Sequence, residues 1–446
     1  MSAAASFVPD EVCRKTLCDR SFATGLSVAV TDREEVVSSG VFGHADQAAG
    51  SPVTGDTLFE IGSITKGMTC VLLLRARDAG LVDLDSPVTA YLPWFSVRSS
   101  HEPITLRHLM THTAGIIAGP DVSPDAIFEV WALRDTEATT PPGTWFHYSN
   151  AGYKALGLVL EAVHRRPYHE LLGELLASLG MHASAPAVTH DLRSRLAVGY
   201  EPRYDDRHPV REDGVVPATW IENATADGCV AATARDMTAW LRLLIGRDTG
   251  QVREMLTPAI LDEEDYPGCA YGLGMQVGDL DGRPHTWHTG GMIGYHAAIA
   301  CDLDAGIGAA VLANGVGPWL DLAVHLVAAE RAERDGVPSP EFTPPLKKPA
   351  PPPAAENPPE RWAALVGHYR CHNPWLSNLH VHASGDKLWV SVCGGEPEQL
   401  VPLPDGAFRV GSDERSPERL RFDVVIDGAA IRADYSGCPL YRTFTP

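Results

Sequence analysis

A serine and a lysine three residues apart, Ser63 and Lys66, have the types and spacing to carry out chemistry. They lie where a loop passes into a helical pattern, and residues i and i+3 share one face of a helix, so the Lys66 amine can reach the Ser63 hydroxyl. Serine needs a neighbouring base, and a lysine can be that base only if burial or a nearby cation lowers its pKa. The pair predicts covalent acyl transfer, but the spacing also fits a helix N-cap beside a solvated lysine.

A second segment, residues 141–150, has the composition of a site loop. Its Pro-Gly turn would bring Tyr148 and Asn150 to one place. A tyrosine beside an ammonium can lose its proton more easily and shuttle it, and an amide can orient a substrate carbonyl. The alternative is that both are ordinary turn residues.

A third segment, residues 287–291, directly precedes a predicted strand and contains His288, Gly290 and Gly291. Paired glycines allow close approach of a ligand to the backbone, and an edge strand offers N–H groups to an oxyanion. His288 fits a packing role as well as a substrate contact. His108 and His112 have the i, i+4 spacing of a metal pair, but no carboxylate completes such a site, so structural roles and no metal are predicted.

Three short motifs occur in the order shown by one protein family: Ser63-x-x-Lys66, Tyr148-x-Asn150 and His288-x-Gly290. The chain resembles the penicillin-recognising serine hydrolases, and within them the branch of class C β-lactamases, D-aminopeptidases and esterases. The resemblance covers roughly residues 20–335. It implies a cofactor-free enzyme with a β-lactamase/transpeptidase-like fold.

The resemblance also implies a role for each motif residue. Ser63 matches the acylated nucleophile, and Lys66 matches the base that activates it together with Tyr148. Tyr148 would also protonate the leaving group and activate the incoming nucleophile. Asn150 would hold the substrate carbonyl or amide, and the backbone N–H groups of Ser63 and Gly291 would form the oxyanion hole.

The third motif departs from the pattern of most β-lactamases and transpeptidases, which have a lysine where this sequence has His288. A neutral imidazole binds a carboxylate less well, so efficient β-lactamase activity is not expected. The leading expectation is a serine hydrolase or acyltransferase acting on small esters, amides or peptides, including peptides with D-residues. The alternatives are a biosynthetic acyltransferase or peptide macrocyclase of the penicillin-binding-protein-type thioesterase kind, and a non-catalytic module that binds a β-lactam or peptide.

The elements that must position these residues follow from the apolar patterns. Strand signals occur at residues 26–42 and again at 295–313, and a helix is predicted from about 65 to 79 with Gly80 at its C-cap. A helical, proline-punctuated middle separates the strands, and a last amphipathic helix runs from about 319 to 333. The order predicts an α/β (α+β) fold in which an antiparallel sheet, closed by both ends of the unit, is flanked by helices with a helical subdomain inserted.

Composition sets the wider expectations. The 446 residues exceed one average domain, and dense proline predicts a linker at 343–360 between a catalytic unit at 1–342 and a small unit at 361–446. Short strands split by turns predict that the small unit is an antiparallel β-barrel or sandwich, and the resemblance favours a lipocalin-like barrel. The net charge of −21 argues against nucleic acid or anionic membrane as a partner. Scattered cysteines without a leader pattern predict free thiols in the cytoplasm.

Overall fold

The computed structural model describes residues 9–119, 121, 125–246, 249–280, 282–343, 359–393 and 395–443. Helices in these ranges are α1 Asp10–Arg20, α2 Thr65–Asp78, α3 Leu106–Met110, α4 Ala126–Ala132, α5 Asn150–His164, α6 Tyr168–Leu179, α7 Ala234–Gly246, α8 Gly250–Met255, α9 Trp319–Asp335 and α10 Glu360–Ala363. The strands before residue 343 are β1 Gly25–Thr31, β2 Val36–Asp46, β3 Ser51–Pro52, β4 Phe59–Glu60, β5 Tyr200–Pro202, β6 Val215–Pro217, β7 Ala231–Ala232, β8 Ile260–Asp262, β9 Cys269–Tyr271, β10 Gln276–Leu280, β11 Arg283–Met292, β12 Tyr295–Asp302 and β13 Ile307–Ala313. The later strands are β14 Gly367–Arg370, β15 Asn378–Ser384, β16 Lys387–Val392, β17 Glu398–Pro402, β18 Phe408–Val410, β19 Arg419–Ile426, β20 Ala429–Tyr435 and β21 Cys438–Arg442.

One antiparallel sheet forms the centre of the N-terminal unit, here residues 9–343. Across the described residues its strand order is β3-β2-β1-β13-β12-β11-β10-β9-β8. Strand β1 pairs with β13, with Leu26 opposite Ala313 and Thr31 opposite Gly308, so early and late parts of the unit share the sheet. The predicted closure of the sheet by both ends is confirmed.

Helices cover both faces of this sheet. Along β13, Ala310 and Leu312 belong to the core shared with α7, whereas Ala309 and Val311 belong to the core shared with α9. Side chains alternate between the two faces of a strand, so a strand covered on both sides must be apolar at every position. The buried run of Ile307–Ala313 meets that requirement.

Helix α2 carries Lys66 and lies inside the helical part of the unit. Its predicted apolar stripe is buried, and Thr65, Lys66 and Thr69 are buried as well. Gly80 has φ +73° and its N–H donates to the Arg77 carbonyl, so it follows the end of the helix as predicted. Residues 65–74 of this helix are all buried, and a buried polar group is held in a fixed position because it must find a partner inside the protein.

The C-terminal unit, residues 359–443, is a closed antiparallel barrel of eight strands, β14 to β21, in its described part. Alternate side chains such as Leu379, Val381, Leu388 and Val390 fill its interior. The predicted barrel is therefore confirmed. Residues 344–358 of the predicted linker lie outside the described residues.

Among the described residues, hydrogen bonds attach the barrel to the N-terminal unit near Asp205 and near Glu418. The Asp205 carboxylate accepts from Ser377 Oγ at 2.8 Å and pairs with Arg370, while its carbonyl accepts from Asn378 Nδ2 at 3.1 Å. At the second place, Glu418 Oε1 accepts from the Ala118 N–H at 2.7 Å. Within the described ranges, no helix has the length and apolar composition needed to cross a membrane.

Candidate active site

Ser63 is positioned by a close crossing of two backbone segments. It lies in a 3-10 turn, Gly62–Ile64, that leads into α2. Where this turn passes β11, a Cβ on Gly290 would lie 1.8 Å from the Ile61 carbonyl oxygen. Gly62 has φ +50°, and a Cβ there would lie 2.7 Å from the Gly291 carbonyl oxygen. Both positions need glycine because the backbone of the turn and the backbone of β11 lie too close together for a Cβ atom to fit between them.

This crossing changes the interpretation of the paired glycines. Gly290 was expected to let a ligand approach, but it is the chain's own Ile61 carbonyl that occupies the space. Gly291 lines the cleft beside Ser63, and a Cβ on it would meet only His296 at 3.8 Å. The oxyanion role of the Ser63 and Gly291 N–H groups remains a prediction.

The Lys66 amine contacts three oxygen atoms. Its Nζ donates to Ser63 Oγ at 2.9 Å, to Asn150 Oδ1 at 2.7 Å and to the Asp227 carbonyl at 2.8 Å. An ammonium has three N–H donors and no acceptor, so these contacts use all of them. Loss of one proton creates a lone pair that can accept the Ser63 O–H, which reverses the direction of that hydrogen bond.

The environment of Lys66 makes this proton loss accessible near neutral pH. Burial lowers the pKa of Lys66 to about 8, even though the carboxylates of Asp227 and Asp121 act in the opposite direction. Desolvation penalises the charged form of an amine, which is how a lysine becomes a base. The sequence requirement that a catalytic Lys66 be buried is met, since none of its surface is exposed.

Tyr148 completes the group around Ser63. The Lys66 Nζ lies 4.9 Å from the centre of the Tyr148 ring, and the Tyr148 hydroxyl is close enough to Ser63 for that side chain to influence its pKa. Burial raises the pKa of Tyr148 well above its ordinary value, despite the opposing effect of the Ser63 contact. The expectation that this tyrosine ionises more easily is wrong, because burial disfavours the charged phenolate. Its phenol is protonated at neutral pH and can donate a proton.

The turn that carries Tyr148 and Asn150 is held by the start of α5 and by His112. Ser149 caps the helix, with its Oγ accepting from the Gly152 N–H at 3.1 Å. The Ser149 N–H donates to His112 Nδ1 at 2.9 Å, and the His112 ring lies against that of Tyr148 at 4.2 Å. His112 is therefore a positioning residue for this turn.

The two histidines of the 106–115 segment have separate structural roles, as predicted. His108 closes a capping box at the start of α3, with the Thr105 N–H donating to His108 Nδ1 at 3.1 Å. His112 has φ +56° and turns the chain toward the site loop. Within the described residues, no group of three or more His, Cys, Asp or Glu is arranged to hold a metal ion.

His288 is buried behind the site. Its Nε2 lies 3.1 Å from the Tyr271 hydroxyl, and its Nδ1 lies 2.5 Å from the Thr289 carbonyl. Only 4% of its surface is exposed, and burial lowers its pKa to about 4, so the ring is neutral. Both ring nitrogens have protein partners, which supports the packing alternative, and the substrate contact of His288 stays a prediction.

A cleft of about 980 Å³ opens at Ser63. The described residues that line it include Asn150 and Gly291, and its charged side chains are Asp121, Lys154, Glu222 and Asp227. Lys154 is buried and pairs with Glu129 at 3.0 Å as well as with Asp121. Since Glu129 already balances the lysine, Asp121 and Asp227 leave this part of the cleft with excess negative charge.

Sequence reasoning missed Asp121, Asp227 and Lys154. Lys154 follows Asn150 by four residues on one helix, so it must share a face with it, and this spacing could have shown that Lys154 borders the site. Asp121 and Asp227 lie in loops far apart in the sequence, with no local pattern that separates them from other surface acids.

The residue before Tyr148 connects the site to the barrel. His147 Nδ1 lies 3.0 Å from Glu264 and its Nε2 lies 3.2 Å from Glu418 of the barrel. Burial opposes the charged imidazolium, but the hydrogen bonds with Glu264 and Glu418 outweigh it and raise the pKa of His147 to about 9. At neutral pH His147 is a cation held between carboxylates of the two units.

This cation predicts a loss of stability at alkaline pH. Because the pKa is raised from 6.5 to about 9, the ion pairs of His147 are fully present below pH 6.5 and are lost as pH rises through about 9. We expect the Tm of the protein to fall over this range. His147→Asn should lower Tm by a few degrees at neutral pH and flatten the dependence, as thermal unfolding at constant ionic strength would show. The control variant Glu264→Gln removes only the ion pair of His147 within the N-terminal unit and keeps its pair with Glu418 of the barrel. An unchanged pH dependence in His147→Asn would contradict the assignment.

Comparison with known proteins gives consistent matches. The sequence model of the Beta-lactamase family matches residues 14–333. Penicillin-binding protein 4 of Amycolatopsis lactamdurans is 27% identical over 347 residues, covering 73% of this chain and 89% of the relative. The D-aminopeptidase of Brucella anthropi is 28% identical over 285 residues, covering 60% of this chain and 52% of the relative. The structure of the octameric penicillin-binding protein homologue from Pyrococcus abyssi aligns with a TM-score of 0.65 at 22% identity, over 97% of this chain and 99% of that chain, so the similarity in fold extends through the barrel.

Proposed function

Since this chain belongs to the Beta-lactamase family, among whose members are serine hydrolases such as D-aminopeptidases, esterases and carboxypeptidases, we propose that it catalyses acyl transfer from esters or amides through an acyl-enzyme on Ser63. The observation that carries the proposal is the contact of 2.9 Å between Ser63 Oγ and a buried amine. The pKa of that amine, about 8, lets it accept the serine proton near neutral pH. A surface lysine beside an N-cap serine would have neither property.

The proposed reaction follows the contacts around Ser63. Neutral Lys66 takes the hydroxyl proton as Ser63 Oγ forms a bond to the substrate carbonyl carbon. Asn150 has its Oδ1 engaged by Lys66, which leaves the amide N–H groups to hold the substrate carbonyl or amide. The Tyr148 phenol donates a proton to the leaving group as its bond to the carbonyl carbon breaks, and the proton that Lys66 took from Ser63 then restores the Tyr148 phenol. Water or another nucleophile then releases the acyl group by the reverse sequence.

The charge of the cleft supports substrates without a carboxylate near the reacting carbonyl. Asp121 and Asp227 border the cleft, and Lys154, the one Lys or Arg among its described lining residues, is paired with two acids. The His288 ring is neutral and turned to Tyr271. The Lys66 ammonium is already bonded to three oxygen atoms, and Lys154 is paired with two acids. An anionic group would therefore meet net repulsion from the carboxylates among the described lining residues. Neutral or ammonium-bearing esters and amides are therefore the proposed substrates.

A series of methyl esters of equal length tests this substrate class. We expect kcat/KM to be highest for methyl 4-aminobutanoate, intermediate for methyl pentanoate and lowest for monomethyl succinate, with the extremes differing by about 10- to 100-fold at low salt. The difference should shrink as ionic strength rises, because salt screens exposed charges. Nitrocefin, which carries a carboxylate, should be a poor substrate. Preference for the anionic ester would contradict the charge argument, and absence of any hydrolysis would contradict the proposed function.

A second candidate is transfer to an acceptor other than water, as in a biosynthetic acyltransferase or macrocyclase. The volume of about 980 Å³ favours it, because such a cleft exceeds what a small ester fills and can hold a second molecule. Product ratios with an added primary amine distinguish the two. An acyltransferase would form the amide in greater proportion than the amine's concentration and nucleophilicity explain, whereas a hydrolase would release mainly the acid.

A further inference from the structure

The C-terminal barrel forms one wall of the cleft that contains Ser63. The described residues that line the cleft include the barrel segment 371–375 and, from β21, Cys438, Pro439 and Tyr441. Trp220, Ile221 and Met292 line it from the N-terminal unit. The nucleophile proposed above and the barrel therefore line the same cleft.

Local hydrogen bonds give this wall a defined shape. The Trp375 N–H donates to Asn373 Oδ1 at 3.0 Å, and Asn373 Nδ2 donates to Cys438 Sγ at 3.5 Å. The loop 371–375 is therefore bonded to β21, the strand that carries Tyr441. Just beyond it, Ser377 and Asn378 are bonded to Asp205 of the N-terminal unit. These bonds hold this part of the barrel against the N-terminal unit, which carries Ser63.

The wall presents large aromatic side chains that remain partly exposed. Trp375 is 37% exposed and Tyr441 is 54% exposed, and both border the cleft. Pro374 and Pro439 add rigid apolar surface next to them. Aromatic side chains contribute most when their faces are covered, and concave sites lined by such groups with a few polar residues are typical of ligand pockets.

We propose that the barrel supplies a specificity subsite, in which Trp375 and Tyr441 bind an aromatic or bulky apolar group of the substrate while its carbonyl lies at Ser63. This inference rests on the proposed function and names the substrate class more narrowly, as esters or amides with such a group. The group can belong to the acyl donor or to the alcohol or amine on the other side of the bond. In either case Trp375 and Tyr441 would contact the same kind of group, an aromatic or bulky apolar one.

Two matched pairs of esters test the subsite and separate these sources. Methyl 3-phenylpropanoate against methyl propanoate varies the acyl side, and benzyl acetate against ethyl acetate varies the other side. For at least one pair we expect the wild type to favour the phenyl-bearing ester in kcat/KM. Trp375→Ala and Tyr441→Ala should each lower that preference by about 10- to 100-fold, the range for losing an apolar contact in a pocket. The pair that responds identifies the side of the bond that meets the barrel.

Two exposed aromatic residues outside the cleft lining serve as controls. Trp131 is 42% exposed and Tyr204 is 41% exposed, so Trp131→Ala and Tyr204→Ala remove comparable surface, and both should keep the wild-type preference. An equal loss on phenyl-bearing and small esters in the Trp375 and Tyr441 variants, or no loss at all, would overturn the inference while leaving the proposed function in place.

Binding without turnover keeps the two proposals distinguishable. Ser63→Ala protein should bind 3-phenylpropanamide at least about tenfold more tightly than propanamide in a calorimetric titration, and adding Trp375→Ala should remove the difference. If no ester is hydrolysed but this Trp375-dependent binding is found, the subsite stands and the acyl-transfer proposal fails. N-benzylacetamide against N-ethylacetamide tests the other side of the bond in the same way. If neither pair of amides shows binding that depends on Trp375, the subsite is rejected whatever the activity.

Discussion

Ser63→Ala is expected to reduce ester hydrolysis by about 10⁴- to 10⁶-fold, because nucleophile and base act as a unit and removing either one disables both. The hydroxyl lies at the floor of the cleft, held by the turn that crosses β11, and is bonded to Lys66 at 2.9 Å. Wild-type protein should gain the mass of one fluorophosphonate adduct on the peptide that contains Ser63. The variant should gain none.

Ser178→Ala is a suitable control for this variant. Ser178 lies in α6, and its Oγ donates to the Leu175 carbonyl. Its loss should leave both activity and labelling at the wild-type level. If Ser63→Ala kept activity within about tenfold of the wild type, or if the probe still labelled it stoichiometrically, residual catalysis would have to come from elsewhere and the proposed function would fail.

Replacing Lys66 is expected to have the second largest effect. Lys66→Met keeps the length of the side chain but removes the base, and we expect a loss of about 10³- to 10⁵-fold in kcat/KM. In the wild type, kcat/KM should rise with pH and level off above about 8, because the neutral amine is the active form and burial lowers the pKa of Lys66 to about 8. Below that value the rate should fall about tenfold per pH unit.

Lys66→Arg separates proton transfer from charge. An arginine keeps a positive charge next to Ser63 but does not deprotonate in proteins. If Lys66 is the base, this variant should be as inactive as Lys66→Met and should lack the rise with pH. Activity near the wild-type level in Lys66→Arg would show that only the charge matters. Circular dichroism would confirm that both variants retain the native fold.

The sequence predicted well those features that depend on near neighbours in the chain. Ser63 and Lys66 are one helical turn apart, so the contact at 2.9 Å follows from helix geometry. The runs that became β12 and β13 were recognisable as strands from local sequence, and β13 is apolar at every position because it is covered on both faces. Asn150 was grouped with Tyr148 because they share one tight turn, and the structure brings Asn150 to Lys66 at 2.7 Å.

Predictions that depended on environment were less successful. Tyr148 was expected to ionise more easily, yet desolvation raises its pKa. His288 was expected to meet the substrate as readily as to pack, and its contact with Tyr271 supports packing. Gly290 was assigned to ligand access, although the Ile61 carbonyl occupies that space. In each case the residue type was compatible with both roles, and only the packing around it distinguishes them.

The amino-acid order by itself determined the serine–lysine pair, the strands β1, β2, β12 and β13 of the central sheet and the existence of a separate barrel, because helical turns and the alternation of strands are local properties. The tertiary structure decided which distant groups meet at Ser63. It brings the Asp227 carbonyl to Lys66 at 2.8 Å, and it places Asp121 and the Trp375 loop of the barrel along the same cleft. The physical reason is that burial and charge at a site are sums over residues that are remote in sequence, and those sums set the pKa of the amine and the chemistry of the cleft.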